Sequence, residues 1–323
     1  MRSRSSYPPY HRVLIDPKPM RPVDGIVVRL SSIMIVGSVL WGPFIAYSFL
    51  KRIMKKYKVD PTARKRILIA GAFASLVIIF GPHRKRKVGE WLNVRNWKLW
   101  DSWMRFVSYT VIQDLGDKED DEGFSVDLWT EQAILSIIPH GIFPFGLGLA
   151  ALPADAVRAF GLFRVVIASA TNLFPIVSTV CSWLDAVDAS KSSVNSALAA
   201  GDSIGLAPGG IAEMFEGYPK VGCEPNDEVA LLMKRKGFVK MAIQHGLPII
   251  PCYTFGATKM FKRLDLPLLE KISNFLRISL CIFFGKFGLV SNYYFFCLSC
   301  ESSTVVLIKH FYSLCHFVNI YFM

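Results

Sequence analysis

Charge is scarce in this sequence, and acidic charge scarcest. Only 19% of the 323 residues are Asp, Glu, Lys or Arg, and 25 acidic side chains stand against 37 basic ones, a net +12. With 52% hydrophobic residues and a mean hydropathy of +0.36, such a chain is no disordered tail protein. It also lacks the glycine repeat of a collagen-like chain. Cysteine is sparse and irregular: Cys181, Cys223, Cys252, Cys281, Cys297, Cys300 and Cys315 form no secreted disulfide framework, so the thiols are expected mostly reduced. No small-residue cleavage site follows a short apolar run near Met1, so no signal peptide is expected, and residues 1–25 read as a polar, Pro-rich tail.

What is present is positive charge beside apolar length. The basic excess favours acidic partners, and the apolar content turns that preference toward membrane lipid, with no nucleic-acid partner expected. Residues 30–50 are 21 positions without a charge, about 31 Å as one helix, enough to cross a hydrocarbon core. Residues 67–82 add a second uncharged run of 16. Between the runs, residues 51–66 hold eight basic side chains and one acidic one. Residues 26–88 therefore read as a membrane hairpin with a basic loop, its orientation left open by basic residues on every flank. Trp91, Trp97, Trp100 and Trp103 fall within 13 residues and read as an interfacial helix leading out of the anchor. The acidic run 114–123 reads as a solvated loop.

From about residue 128 the pattern changes to short apolar runs alternating with helical periodicity. Strands are predicted at 133–138, 165–169, 203–207 and 248–254, with helices at 190–200 and 236–245. This alternation, broken by Gly/Pro turns, predicts an α/β fold: a central sheet flanked by helices, with reactive groups in loops at strand ends. Two such loops stand out. One is Pro139-His140-Gly141, where an imidazole able to take a proton near neutrality follows an apolar strand. The other is Pro208-Gly209-Gly210, whose exposed N–H groups suit an anion or a developing oxyanion, with Glu213 three residues on. Lys236 and Lys240 lie one helical turn apart with Arg235 near the helix start, a cluster suited to phosphates.

Two other patterns carry less. Gly201-Asp202-Ser203-Ile204-Gly205 fits the G-x-S-x-G elbow, but a helix precedes it and a strand follows, the reverse of the order that elbow needs. Cys297-x2-Cys300 with His310 and His316 has the wrong gap for a zinc finger, so no metal is expected.

These residues resemble the type-2 diacylglycerol acyltransferase family, which also holds monoacylglycerol and wax-ester acyltransferases. The matching stretches are Val94-Arg95-Asn96-Trp97 through Trp100, Pro139-His140-Gly141-Ile142, Gly209-Gly210 with Glu213, Arg235-Lys236-Gly237-Phe238-Val239-Lys240, and Pro251 through Phe255-Gly256, in family order over residues 90–288. The resemblance implies an acyl-CoA-dependent O-acyltransferase at the endoplasmic reticulum and lipid droplets, making triacylglycerol. Acyl-CoA is then a co-substrate, with no permanently bound cofactor. Diacylglycerol or another lipid alcohol is the acceptor, and self-association is left open. His140 becomes the general base, with Glu213 as its first candidate partner. Gly141, Gly209 and Gly210 serve the turn and the oxyanion, while Arg235, Lys236 and Lys240 hold the CoA phosphates. Family members often read His-Pro-His-Gly; here Ile138 takes the first position. The wider His-x4-Asp pattern is also unmet, because Phe145 stands where the Asp would be.

The resemblance places the acyltransferase domain at 89–288. Residues 289–323, rich in Tyr, Phe, Cys and Ser, read as a divergent tail, either a gene-model artefact foreign to the domain or an extra membrane-associated segment. A sheet lacking its last elements would suggest a second class of function, an inactive membrane-bound partner of an active acyltransferase.

Overall fold

The computed structural model describes residues 11–16, 18–35, 38–80, 90–114, 131–169, 171, 175–216, 228–232, 235–276, 281, 283–284 and 305–309. The chain opens with strand β1 (His11–Ile15), then helices α1 (Pro22–Ile35), α2 (Ser38–Lys56) and α3 (Pro61–Phe80). A 3-10 turn (Leu92–Asn96) leads into α4 (Lys98–Phe106) and β2 (Thr110–Asp114). The alternating part follows: β3 (Ile134–Ile138), α5 (Phe145–Ala151), α6 (Ala154–Phe160), β4 (Arg164–Ile167), α7 (Pro175–Trp183), β5 (Val187–Asp188), α8 (Lys191–Ala199), β6 (Ile204–Leu206), α9 (Gly210–Glu216), α10 (Gly237–His245) and β7 (Ile249–Phe255). Last come β8 (Lys262–Arg263), α11 (Pro267–Leu276), β9 (Phe283–Phe284) and β10 (Val305–Lys309).

The main sheet runs β1-β2-β10-β7-β3-β6-β4-β5. Its heart, β7-β3-β6-β4-β5, is parallel, and helices cover both faces, which is the α/β architecture expected from the sequence. Alternate residues of each strand serve separate cores. Leu135, Ile137, Ile250 and Cys252 pack with Trp100, Phe145, Leu149 and Phe160. Ile134, Ile204 and Leu206 face Val194, Leu198 and Ala242 of α8 and α10. Desolvation pushes the buried Cys252 thiol up to about 12, so this sulfur is a packing group and not a nucleophile.

Several expectations need correction. The uncharged run 30–50 is not one helix, because α1 ends at Ile35 and α2 begins at Ser38. α1 packs against α4, with Val28 in the same buried cluster as Trp100, Trp103 and Phe106. Among the described residues no helix is long and apolar enough to cross a membrane. The tryptophan stretch turns two of its four rings into the protein core. Trp100 and Trp103 are 4% and 6% exposed, and the Trp103 indole N–H donates to Ser31 of α1 at 2.9 Å. Packing on α1 and the sheet has claimed the aromatic face that lipid headgroups would otherwise take. Trp91, Trp97 and Trp183 instead contact one another edge-on at centroid distances of 5.0–5.7 Å. Residues of the polar N-terminal stretch form β1, paired with β2. From the divergent tail, β10 inserts between β2 and β7. Most of the acidic run 114–123, and the pair Cys297 and Cys300 with His310 and His316, lie outside the described residues.

The α1–α4 junction turns on Asp24, which is fully buried. It accepts hydrogen bonds from the Arg21 main chain and guanidinium at 2.8 Å and from the Ser102 hydroxyl of α4 at 2.8 Å. The Arg21 bond is the largest cause holding this carboxyl well below the usual aspartate range, against the opposing effect of burial. Stability from Asp24 is therefore present above the ordinary aspartate pKa and lost as pH falls through the lower folded value. Asp24→Ala is expected to lower the thermal transition by several degrees at pH 7. That deficit should shrink steadily as pH falls below about 4, where the aspartate of the unfolded chain takes up its proton while the folded one still resists it. Thermal scans of both proteins across this range check it; an equal deficit at every pH would refute it.

Candidate active site

Three neighbouring parallel strands, β6, β3 and β7, end at the same edge of the sheet, with Ser136 of β3 in register with both Leu206 and Pro251. Their outgoing loops are therefore neighbours in space, although 73 residues separate His140 from Glu213. After β3 comes Pro139-His140-Gly141; after β6, Pro208-Gly209-Gly210 and α9; after β7, the turn of Gly256, Ala257 and Thr258. This is where an open parallel sheet gathers its chemistry.

His140 is 6% exposed and Glu213 1% exposed. One carboxylate oxygen, Oε2, accepts the main-chain N–H of His140 at 3.0 Å and lies 3.4 Å from the ring Nε2. The same Nε2 is 2.8 Å from the Gly210 carbonyl oxygen. Both neighbours are acceptors, so in the neutral ring Nε2 carries the hydrogen and Nδ1 the lone pair. Nδ1 is buried and has no hydrogen-bond partner among the described residues. The ring thus presents a buried, unpaired nitrogen on one side and a carboxylate and a carbonyl on the other.

The glycines are explained by close approach. Gly141 has φ +64°, and a Cβ there would collide with the Ala257 carbonyl oxygen. A Cβ on Gly209 would strike the Glu213 carboxylate. Gly210, at φ +58°, turns its carbonyl toward the imidazole. His140, Gly141, Gly209, Gly210 and Glu213 thus form one cluster. Arg235, Lys236 and Lys240 do not join it. They are exposed at the start and outer side of α10, and among the described residues none makes an ion pair. The covered face of that helix packs Ala242 against the second core.

Ser203 does not behave as an elbow nucleophile: its hydroxyl accepts the Ala133 N–H at 3.1 Å, at the entry to β6. A small cleft is bounded by Ile15, Lys18, Asp101, Arg105, Tyr109 and Asp155, none of which belongs to the His140 turn or α9. It adds nothing to the chemistry at His140.

Sequence reasoning missed the segment 228–232. The Leu231 N–H donates to Glu213 Oε1 at 3.2 Å. Glu228 Oε1 accepts the Gly256 N–H at 2.8 Å and the Thr258 hydroxyl at 2.9 Å. Burial raises the Glu228 carboxyl above its usual range, against these bonds and the nearby Lys259. Tyr253 pairs with Ile138 across the sheet. Burial first, then the charges of Glu228 and Glu213, push its phenol up, so it stays protonated. Glu228 follows Pro225, Asn226 and Asp227, a composition that reads as surface loop, and no spacing ties it to the other site residues.

A family profile described as diacylglycerol acyltransferase matches residues 62–309, beyond the expected domain at both ends. Mouse acyl-CoA wax alcohol acyltransferase 1 is 26% identical over 220 residues, 64% of this chain and 61% of that protein. Human diacylglycerol O-acyltransferase 2-like protein 6 is 26% identical over 213 residues, 60% of this chain and 58% of that protein. Human diacylglycerol O-acyltransferase 2 is 25% identical over 225 residues, 65% of this chain and 53% of that protein. The chain thus spans less than two thirds of the length of each of these three relatives. No solved structure matches it. With the profile covering most of the sequence and all of the clustered residues, the chain belongs to the diacylglycerol acyltransferase family.

Proposed function

We propose that this protein is a membrane-associated, acyl-CoA-dependent O-acyltransferase that esterifies diacylglycerol to triacylglycerol, with His140 as general base. The observation that carries this reading is the orphaned Nδ1 of His140, beside an Nε2 held by Glu213 and the Gly210 carbonyl.

In the proposed reaction Nδ1 takes the proton of the acceptor hydroxyl as its oxygen attacks the thioester carbonyl. Glu213 balances the imidazolium that forms. The N–H groups of Gly141, Gly209 and Gly210 are the proposed donors to the tetrahedral oxyanion. Collapse breaks the C–S bond, and the departing CoA thiolate recovers the proton from Nδ1, leaving the ester and free CoA. No acyl-enzyme is needed, because the thioester is already activated. Arg235, Lys236 and Lys240 are free to hold the CoA phosphates.

Membrane association is supported by the apolar side chains that the first three helices expose: Leu30 and Met34 on α1, Phe44 and Phe49 on α2, Ile69 and Phe73 on α3. A surface of this kind lets an acceptor too apolar for water reach the base from within the lipid. Residence at the endoplasmic reticulum and lipid droplets belongs to the same proposal.

A second acceptor class, long-chain alcohols, is favoured by the similarity to a wax alcohol acyltransferase. Expression in a cell unable to make neutral lipid, followed by lipid extraction, separates the readings. Triacylglycerol that depends on His140 is the expected result. Wax esters would replace diacylglycerol by an alcohol as acceptor. Absence of any new ester would overturn the enzymatic proposal in favour of an inactive partner.

A further inference from the structure

We propose that Glu228 is a positioning residue for acyl transfer, the anchor of a strap that fixes the His140–Glu213 pair from both sides. The inference rests on the reading of that pair given above.

The strap is the segment 228–232. At its start, Glu228 Oε1 takes both the Gly256 N–H at 2.8 Å and the Thr258 hydroxyl at 2.9 Å, binding it to the turn after β7. That turn is the floor under the catalytic loop: the Ala257 carbonyl sits where a Cβ on Gly141 would have to go. Three residues after Glu228, the Leu231 N–H reaches Glu213 Oε1 at 3.2 Å, the oxygen His140 does not use. One short segment therefore joins the support of the imidazole to the carboxylate that orients it. Thr258 is 1% exposed, so removing Glu228 strands a buried hydroxyl. It also frees the strap from the floor while the Leu231 bond still pulls on Glu213. Displacement by a fraction of an ångström there acts on the reaction, not on the holding of CoA.

An amide oxygen can accept both bonds as the carboxylate oxygen does, so the role is geometric and survives loss of charge. Glu228→Ala in the full-length, detergent-solubilised protein is expected to lower kcat about 10- to 100-fold, with KM for acyl-CoA changed less than about twofold. Glu228→Gln should restore kcat to within about threefold of wild type, since the acceptor geometry returns. Glu228→Asp, one methylene short, should fall between them and serves if the alanine variant does not fold. An unchanged kcat in the alanine and aspartate variants, a loss confined to KM, or a glutamine variant as poor as alanine would each overturn the proposal.

Hydrogen exchange separates this failure from failure of the underlying reading. If wild type shows no His140-dependent transfer, the enzymatic reading falls. The positional claim is then decided by exchange in peptides covering 139–141 and 228–232. Faster exchange in Glu228→Ala upholds the strap, and unchanged exchange rejects it.

Discussion

His140→Ala is expected to lower acyl transfer about a thousandfold, the scale at which a positioned general base contributes, while the protein still folds and enters membranes. Both halves follow from how the site is bonded. The variant removes the only base nitrogen in the cluster, Nδ1, and with it the path of the hydroxyl proton. It does not orphan Glu213, because two of that carboxylate's donors are main-chain groups, the N–H of residue 140 and of Leu231, which alanine leaves in place. The Gly210 carbonyl loses a partner, yet it is only half-buried and water can replace the ring. Transfer of a labelled acyl group from CoA, measured beside the thermal transition, tests both at once. Activity near wild type would remove His140 from the mechanism, whereas loss of the folded state would show that the cluster is a packing device.

Most of what positions this site could be read from the sequence because parallel core strands announce themselves. The strands 133–138, 203–207 and 248–254 were apolar runs stopped by Pro or Gly, and β3, β6 and β7 lie within one or two residues of those bounds. Loops at the ends of adjacent parallel strands must be neighbours, so His140 and Glu213 came within reach once the strand order brought β3 beside β6. Other features were not legible because composition does not say what a side chain packs against. An amphipathic helix rich in Trp suits a headgroup layer or a core equally well, and only α1 lying on α4 decides between them. Absence of charge over 30–50 measures apolar length, not where a helix ends. Glu228 follows a Pro-Asn-Asp run that marks a loop, and its partners lie 28 and 30 positions away, a pairing that no local spacing encodes. The apolar stretch 305–309 sits in a region of foreign texture, and its place between β2 and β7 depends on long-range pairing that no local pattern encodes.

Glu213→Gln is the sharper test of the orienting role, since it keeps shape and removes one capability. The carboxylate accepts at both oxygens, Oε2 from the His140 main-chain N–H and Oε1 from Leu231, while the ring Nε2 lies 3.4 Å from Oε2. An amide has only one acceptor oxygen, and its NH2 must face a donor whichever way it is turned. With the oxygen toward His140, the NH2 confronts the Leu231 N–H and pushes the strap away. With the oxygen toward Leu231, the NH2 confronts the His140 main-chain N–H, and a ring that accepts from it would bring an Nε2 lone pair against the Gly210 carbonyl at 2.8 Å. Either choice disturbs the state in which Nδ1 is free to take a proton. We therefore expect kcat to fall between about a hundred- and ten-thousandfold, as when a triad aspartate is replaced by asparagine, with little change in KM for acyl-CoA. Under the proposed role, in which Glu213 acts through the imidazole, its replacement should matter little once the imidazole is gone. His140→Ala combined with Glu213→Gln should be no slower than His140→Ala alone, the non-additivity of groups that work as one unit. Fully additive losses would mean that the carboxylate acts on the substrate by a route independent of His140.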